Sequence, residues 1–211
     1  MPYSSFVLER KKLFYNLDNI KKFCPNIIAM VKANAYGNGV KSVCKELKNK
    51  VKFFGVACID EALEIRNFDK DTKILIVGVC KDYITAIKND ISITIENLDD
   101  FYELISFVEK NKNYLKNNQK TFYIHIKINS GMNRLGLSKI SEFKKLLKIY
   151  FNCNVKKYIN IEGVFTHFAS KTMINYQIKQ FKKFLKEIPS LINPIIHIGG
   201  GIGKFAVKNF N

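Results

Sequence analysis

The feature that most constrains this chain is a hydrophobic pattern that changes period again and again along its length. Short runs rich in β-branched and aromatic residues fall at 26–32, 53–57, 73–79, 91–95, 122–129, 161–168 and 194–198. Between them lie segments with helical spacing. The clearest sets Ile174, Ile178, Phe181, Leu185 and Ile188 on one face and turns Lys179, Lys182, Lys183 and Lys186 elsewhere, the pattern of an amphipathic helix. Another aligns Ile140, Phe143, Leu147 and Tyr150 between Lys139, Lys144 and Lys148. Strands alternating with helices at this spacing predict βαβ units and a parallel sheet, either closed as a barrel or doubly wound.

The run 122–129 favours one of the two. Phe122, Ile124, Ile126 and Ile128 share a face, and Tyr123, His125, Lys127 and Asn129 share the other. In a β/α barrel the outer face of a strand packs under helices and must be apolar, while the inner face can carry polar groups toward the mouth. A doubly wound sheet is covered on both faces and selects a more uniformly apolar strand. The prediction is therefore an α/β chain of the TIM-type barrel class, one domain over 1–211, with the polar stretch 111–119 as a loosely ordered loop.

The chain has 211 residues, 47% of them hydrophobic and 25% charged, enough apolar sequence for a sizeable core. Its net charge of +17 comes from lysine doublets spread over the whole length, such as Lys11-Lys12, Lys144-Lys145 and Lys182-Lys183. That distribution predicts solvated helix faces and no nucleic-acid partner, since no basic block is present. No apolar run approaches the roughly 18–20 residues of a membrane span, so no membrane partner is expected. The start of the chain has no secretory pattern. Five cysteines, none in a Cys-x-x-Cys pair, argue against a metal site or disulfide scaffold and for the cytoplasm.

Chemistry concentrates after the first strand, in Val31-Lys32-Ala33-Asn34-Ala35-Tyr36-Gly37-Asn38-Gly39. A lysine at a strand end can form a Schiff base with an aldehyde once desolvation favours its neutral amine. Tyr36 offers a hydroxyl to a phosphate, and Gly37 and Gly39 let the backbone turn. The same residues also suit a surface lysine snorkelling beside a turn. Residue types alone leave both open.

This segment resembles the pyridoxal-phosphate attachment motif of the alanine racemase family. Three further stretches agree in order and spacing: Asp60-Glu61-Ala62, the run from His125-Ile126-Lys127 through Asn133-Arg134-Leu135-Gly136, and Gly163-Val164-Phe165-Thr166-His167-Phe168-Ala169. The resemblance implies that Lys32 carries pyridoxal 5'-phosphate and is one of two catalytic bases. It implies that Tyr36 binds the cofactor phosphate, and that Arg134 contacts the cofactor's phenolic oxygen and orients the substrate carboxylate. His167 then supports an arginine facing the pyridine nitrogen. Lys127 matches a lysine carbamylated in many members, a change that turns an unpaired inward ammonium into an anion able to pair with Arg134.

The chain also departs from the family. Where the family has an Asn-Ser pair after His-x-x, this chain runs from His197 into Gly199-Gly200-Gly201. Backbone N–H groups at Gly200 and Gly201 can form a nest for the phosphate; a flexible turn fits the three glycines equally well. The sequence given stops at Asn211, before the family's next strand and its C-terminal β-domain with the tyrosine that is the second base. The expectation is thus a barrel lacking its eighth strand, an incomplete form of an alanine racemase. It would act on alanine, supply D-alanine for peptidoglycan, and form a homodimer when full length. A single-domain pyridoxal-phosphate carrier on the same barrel is the alternative.

Overall fold

The computed structural model describes residues 7–168 and 171–200. They form two compact units, one up to Gly78 and one from Val79 onward. In the first, α1 (Arg10–Lys21), β1 (Ile28–Met30), α2 (Lys32–Tyr36), α3 (Val40–Leu47), β2 (Phe53–Val56), α4 (Ile59–Phe68) and β3 (Lys73–Ile76) follow one another. The three strands are parallel, with Ile28 opposite Phe53 and Phe53 opposite Lys73. β2 is buried at every position because its sequence, Phe-Phe-Gly-Val, has no polar side chain to face water. Val43 and Leu47 of α3 and Ala62 and Ile65 of α4 contribute to the same apolar core.

The turn from α4 into β3 is closed by charge. Arg66 is buried, and its guanidinium donates to the carbonyls of Asp69 and Thr72 at 3.0 and 2.9 Å. Burial pushes the Asp69 carboxyl up, but donors from Thr72, Asp71 and Lys48 outweigh it and hold the group at about 2.

The second unit contains α5 (Tyr83–Lys88), β4 (Ile91–Ile95), α6 (Leu98–Lys110), α7 (Lys112–Asn117), β5 (Phe122–Lys127), α8 (Ile140–Asn152), β6 (Ile159–His167), α9 (Ile174–Leu185) and β7 (Ile195–Gly199). β4, β5, β6 and β7 pair in order, all parallel. The chain is therefore α/β, with parallel strands of the kind from which β/α barrels are built. On β5, Phe122, Ile124 and Ile126 are buried with His125 and Lys127 between them, and Tyr123 at the strand's start is exposed. No helix among the described residues is long and apolar enough to cross a membrane.

One expectation is corrected. The stretch 111–119 is not a loose loop, because residues 112–117 form α7. Leu115 is fully buried and anchors the turn, while Asn111 ends α6 and begins α7, its side chain donating to the Phe107 carbonyl at 2.8 Å.

Helix starts are capped where the sequence provides an acceptor. Asp82 accepts from the Thr85 amide at 3.0 Å, and Asn97 accepts from the Asp100 amide at 2.8 Å. Asp82→Ala is expected to lower the unfolding free energy by about 1 kcal/mol. Urea denaturation checks this, and an unchanged midpoint would show that water replaces the cap.

Candidate functional site

The lysine singled out from the sequence lies just past β1. The Val31 amide still donates to the Gly55 carbonyl at 2.8 Å, continuing the pairing with β2 by one residue. Lys32 follows and opens α2, which is not an ordinary helix. Ala33, Asn34, Ala35 and Tyr36 have φ of 50°, 52°, 54° and 56°, one turn wound left-handed. Each such residue costs about 1–2 kcal/mol relative to right-handed backbone, because Cβ crowds the following carbonyl.

Specific bonds hold this turn. The Ala35 amide donates to the Val31 carbonyl at 2.8 Å and the Gly37 amide to the Ala33 carbonyl at 3.0 Å. Asn34 Oδ1 accepts from the Val40 amide at 2.7 Å, which ties the turn to the start of α3. Glu61 accepts from the Ala33 amide through Oε1 and from the Ala57 amide through Oε2, both at 2.7 Å. The turn brings Lys32 and Tyr36 together: Nζ stands 6.0 Å from the Tyr36 ring centre, with Lys32 half-buried and Tyr36 exposed.

In the second unit the polar positions also gather past strand ends. Lys127 closes β5, and its Nζ lies 2.9 Å from Glu96 Oε1, one residue beyond β4. Both side chains are almost completely buried, 7% and 2% exposed, so this is an ion pair shielded from water. The neighbouring strand thus delivers a carboxylate to the inward-facing ammonium.

Arg134 itself is exposed, on the segment that follows β5. That segment is pinned at its base. Asn129 Oδ1 accepts from the amides of Gly131 and Asn133, at 3.1 and 2.9 Å. The Thr166 hydroxyl donates to the Ile128 carbonyl at 2.8 Å and lies 2.7 Å from Ser130 Oγ. The arginine is therefore carried on a loop whose backbone is organised before any ligand arrives.

His167 ends β6 opposite Gly199, which ends β7. At Gly200 φ is +118°, and a Cβ there would stand 2.7 Å from the Phe168 carbonyl oxygen. Only glycine fits, on both conformational and steric grounds. Gly201, the other position expected to hold phosphate, lies outside the described residues.

Behind Lys127 runs a buried polar chain that the sequence reading missed. Ser92 Oγ donates to Glu162 Oε2 at 2.8 Å, His125 Nε2 lies 3.3 Å from the same oxygen, and His125 Nδ1 lies 2.8 Å from His197 Nε2. Phe165 stacks on His197 with ring centres 4.6 Å apart. Burial, and then the neighbouring His125, hold His197 well below the ordinary imidazole range, although Glu162 acts the other way. Gly163 lies opposite His125 in the β5–β6 register, and a Cβ at that position would collide with the His125 ring. The available signal in the sequence was period two: Ser92 and His125 interrupt isoleucine-rich strands at alternate positions.

Comparisons with known proteins agree with one another. Residues 8–207 match the family described as alanine racemase, N-terminal domain. The chain is 32% identical to an alanine racemase of Staphylococcus epidermidis over 182 residues, covering 82% of this chain and 45% of that protein. Against an alanine racemase of Limosilactobacillus reuteri the identity is 30% over 208 residues, with coverage of 92% and 52%. The chain thus spans about half the length of the curated relatives it matches. Among solved structures, an alanine racemase of Clostridium difficile 630 is similar with a TM-score of 0.77 and 28% identity, over 92% of this chain and 54% of that one. A histidine racemase from Leuconostoc mesenteroides subsp. sake shares the fold with a TM-score of 0.78 at 19% identity, over 94% of this chain and 54% of that one.

Proposed function

Since the chain belongs to the alanine racemase family through its N-terminal domain, we propose that it contributes the pyridoxal-phosphate half of an amino-acid racemase, with alanine as substrate. The observation that carries this reading is the turn after β1. It presents a primary amine and a phenol side by side, on backbone that is costly to form and is held by dedicated acceptors.

The residues present suit pyridoxal 5'-phosphate. Lys32 supplies the amine that its aldehyde requires. Tyr36 supplies a hydroxyl for the phosphate, and the reading of Gly200 and Gly201 as a phosphate nest stays part of the same proposal. Arg134 offers the planar fork that recognises a carboxylate in a bidentate manner, a task for which lysine is a poor substitute. His167 serves as a positioning residue at the end of β6. Lys127, paired with Glu96 in this fold, is the position at which the family resemblance implies a carbamylated lysine, and that modification belongs to the same proposal. When bound, the cofactor supplies the electron sink that makes a substrate α-proton removable. Lys32 Nζ then takes or returns that proton on one face of the α-carbon, as a positioned base. Assembly as a homodimer, work in the cytoplasm and supply of D-alanine for peptidoglycan belong to the same proposal.

The test is chemical. The chain mixed with an equimolar amount of pyridoxal phosphate, reduced with borohydride and digested is expected to carry its label on Lys32. Label scattered over exposed lysines, or concentrated on a different one, overturns the reading. Lys32→Arg should abolish the labelled peptide while leaving the fold intact by circular dichroism.

A further inference from the structure

Glu61 reaches back from the first turn of α4 to the turn that carries Lys32. Its two carboxylate oxygens accept from two backbone amides in successive strand-to-helix connections, Ala33 after β1 and Ala57 after β2, each at 2.7 Å. Ala33 is the residue directly after Lys32 and the first of four consecutive non-glycine residues with φ between 50° and 56°. A left-handed turn of this length does not persist on its own preferences, so its surroundings must over-determine it. A carboxylate accepting two N–H groups makes stronger, charge-assisted hydrogen bonds than a neutral acceptor. The other side-chain ties, from Asn34 to the Val40 amide and from Asn38 to the Ala35 carbonyl, act further along the turn and leave its first amide to Glu61.

We propose that Glu61 is a positioning residue for Lys32: its carboxylate clamps the left-handed turn to the end of β2 and thereby sets the direction in which the Lys32 amine is presented. This deepens the reading of Lys32 as the cofactor lysine and rests on it. The clamp acts on backbone. It predicts effects on the reactivity of an amine that Glu61 is not shown to touch.

The experiment has two readouts on the full chain. Without cofactor, exchange of the Ala33 amide with D₂O is followed by NMR in the parent, Glu61→Gln and Glu61→Ala. Exchange is expected to accelerate tenfold or more in Glu61→Ala and by less in Glu61→Gln, whose carbonyl oxygen still accepts one bond. With pyridoxal phosphate added, the rate of borohydride-fixed labelling at Lys32 is expected to fall in the same order, at least tenfold for Glu61→Ala. The neighbouring exposed Asp60→Asn should change neither. If Glu61→Ala does not fold, the Gln variant alone decides. Unchanged Ala33 exchange overturns the clamp. Faster exchange with an unchanged labelling rate overturns the positioning role. A parent chain that protects Ala33 through Glu61 yet takes no label at Lys32 overturns the cofactor reading, and the positioning role falls with it.

Discussion

Glu96→Leu is expected to lower the free energy of unfolding by about 3–5 kcal/mol, because it leaves the Lys127 ammonium buried without its carboxylate. Against a total stability of roughly 5–15 kcal/mol for an ordinary domain, that loss alone brings the folded state close to its limit. The penalty is mostly that of the abandoned partner. Replacing both groups, Glu96→Leu with Lys127→Met, is therefore expected to recover most of the loss, since apolar side chains of similar volume are often neutral or better at a buried pair. Urea midpoints of the two single variants and the double variant form the cycle. A double variant whose loss equals the sum of the two single losses would show that the two groups are not coupled, and that the pair at 2.9 Å contributes nothing as a pair.

A second large effect is one of pH. His197 is held well below the ordinary imidazole range by burial first and His125 second. In the unfolded chain the same ring takes up a proton below about pH 6.5. The unfolded state therefore binds the extra proton first, and stability falls as pH drops below that value. The contribution is fully present above pH 6.5 and is lost progressively toward the folded-state value. For one group that is protonated only in the unfolded chain, the slope approaches about 1.4 kcal/mol per pH unit. Between pH 6.5 and 5 the parent chain should lose more than 1 kcal/mol. His197→Phe, which keeps a ring against Phe165, should flatten the curve in that window. Asp69 titrates far lower, its stabilising effect being lost only as pH falls from 3.8 toward about 2, and does not confuse the result. An identical slope in the variant would remove His197 as the cause.

How far the sequence reveals this molecule depends on the range of the interaction. β2 is legible because burying both faces of a strand requires nearly continuous apolar sequence, which Phe53 to Val56 supply, and β4 because Ile91, Ile93 and Ile95 alternate at period two. α9 is legible because Ile178, Phe181 and Leu185 repeat at helical spacing. By contrast, α7 depends on one apolar anchor, Leu115, in a stretch whose composition reads as solvent-facing. Lys32, Lys127 and His167 stand out because motifs mark them. Glu96 and Glu162 do not, and Glu61 lies in a matched stretch that assigns it no role, since each works through a partner in another strand or loop: Lys127, His125 and the Ala33 amide. Nothing local says that Ala33 to Tyr36 wind left-handed, because alanine and tyrosine strongly prefer the other hand.

The collision that a side chain at Gly163 would make with the His125 ring has a consequence for how this chain can change over time. Positions 125 and 163 form one heritable unit. A side chain at 163 forces the buried His125 ring or the paired backbone to shift unless residue 125 has shrunk first. Shrinking residue 125 is itself obstructed, because the imidazole lies within hydrogen-bonding distance of Glu162 and His197, and its loss removes both contacts from a buried site. Both first steps cost stability, so the two positions constrain each other.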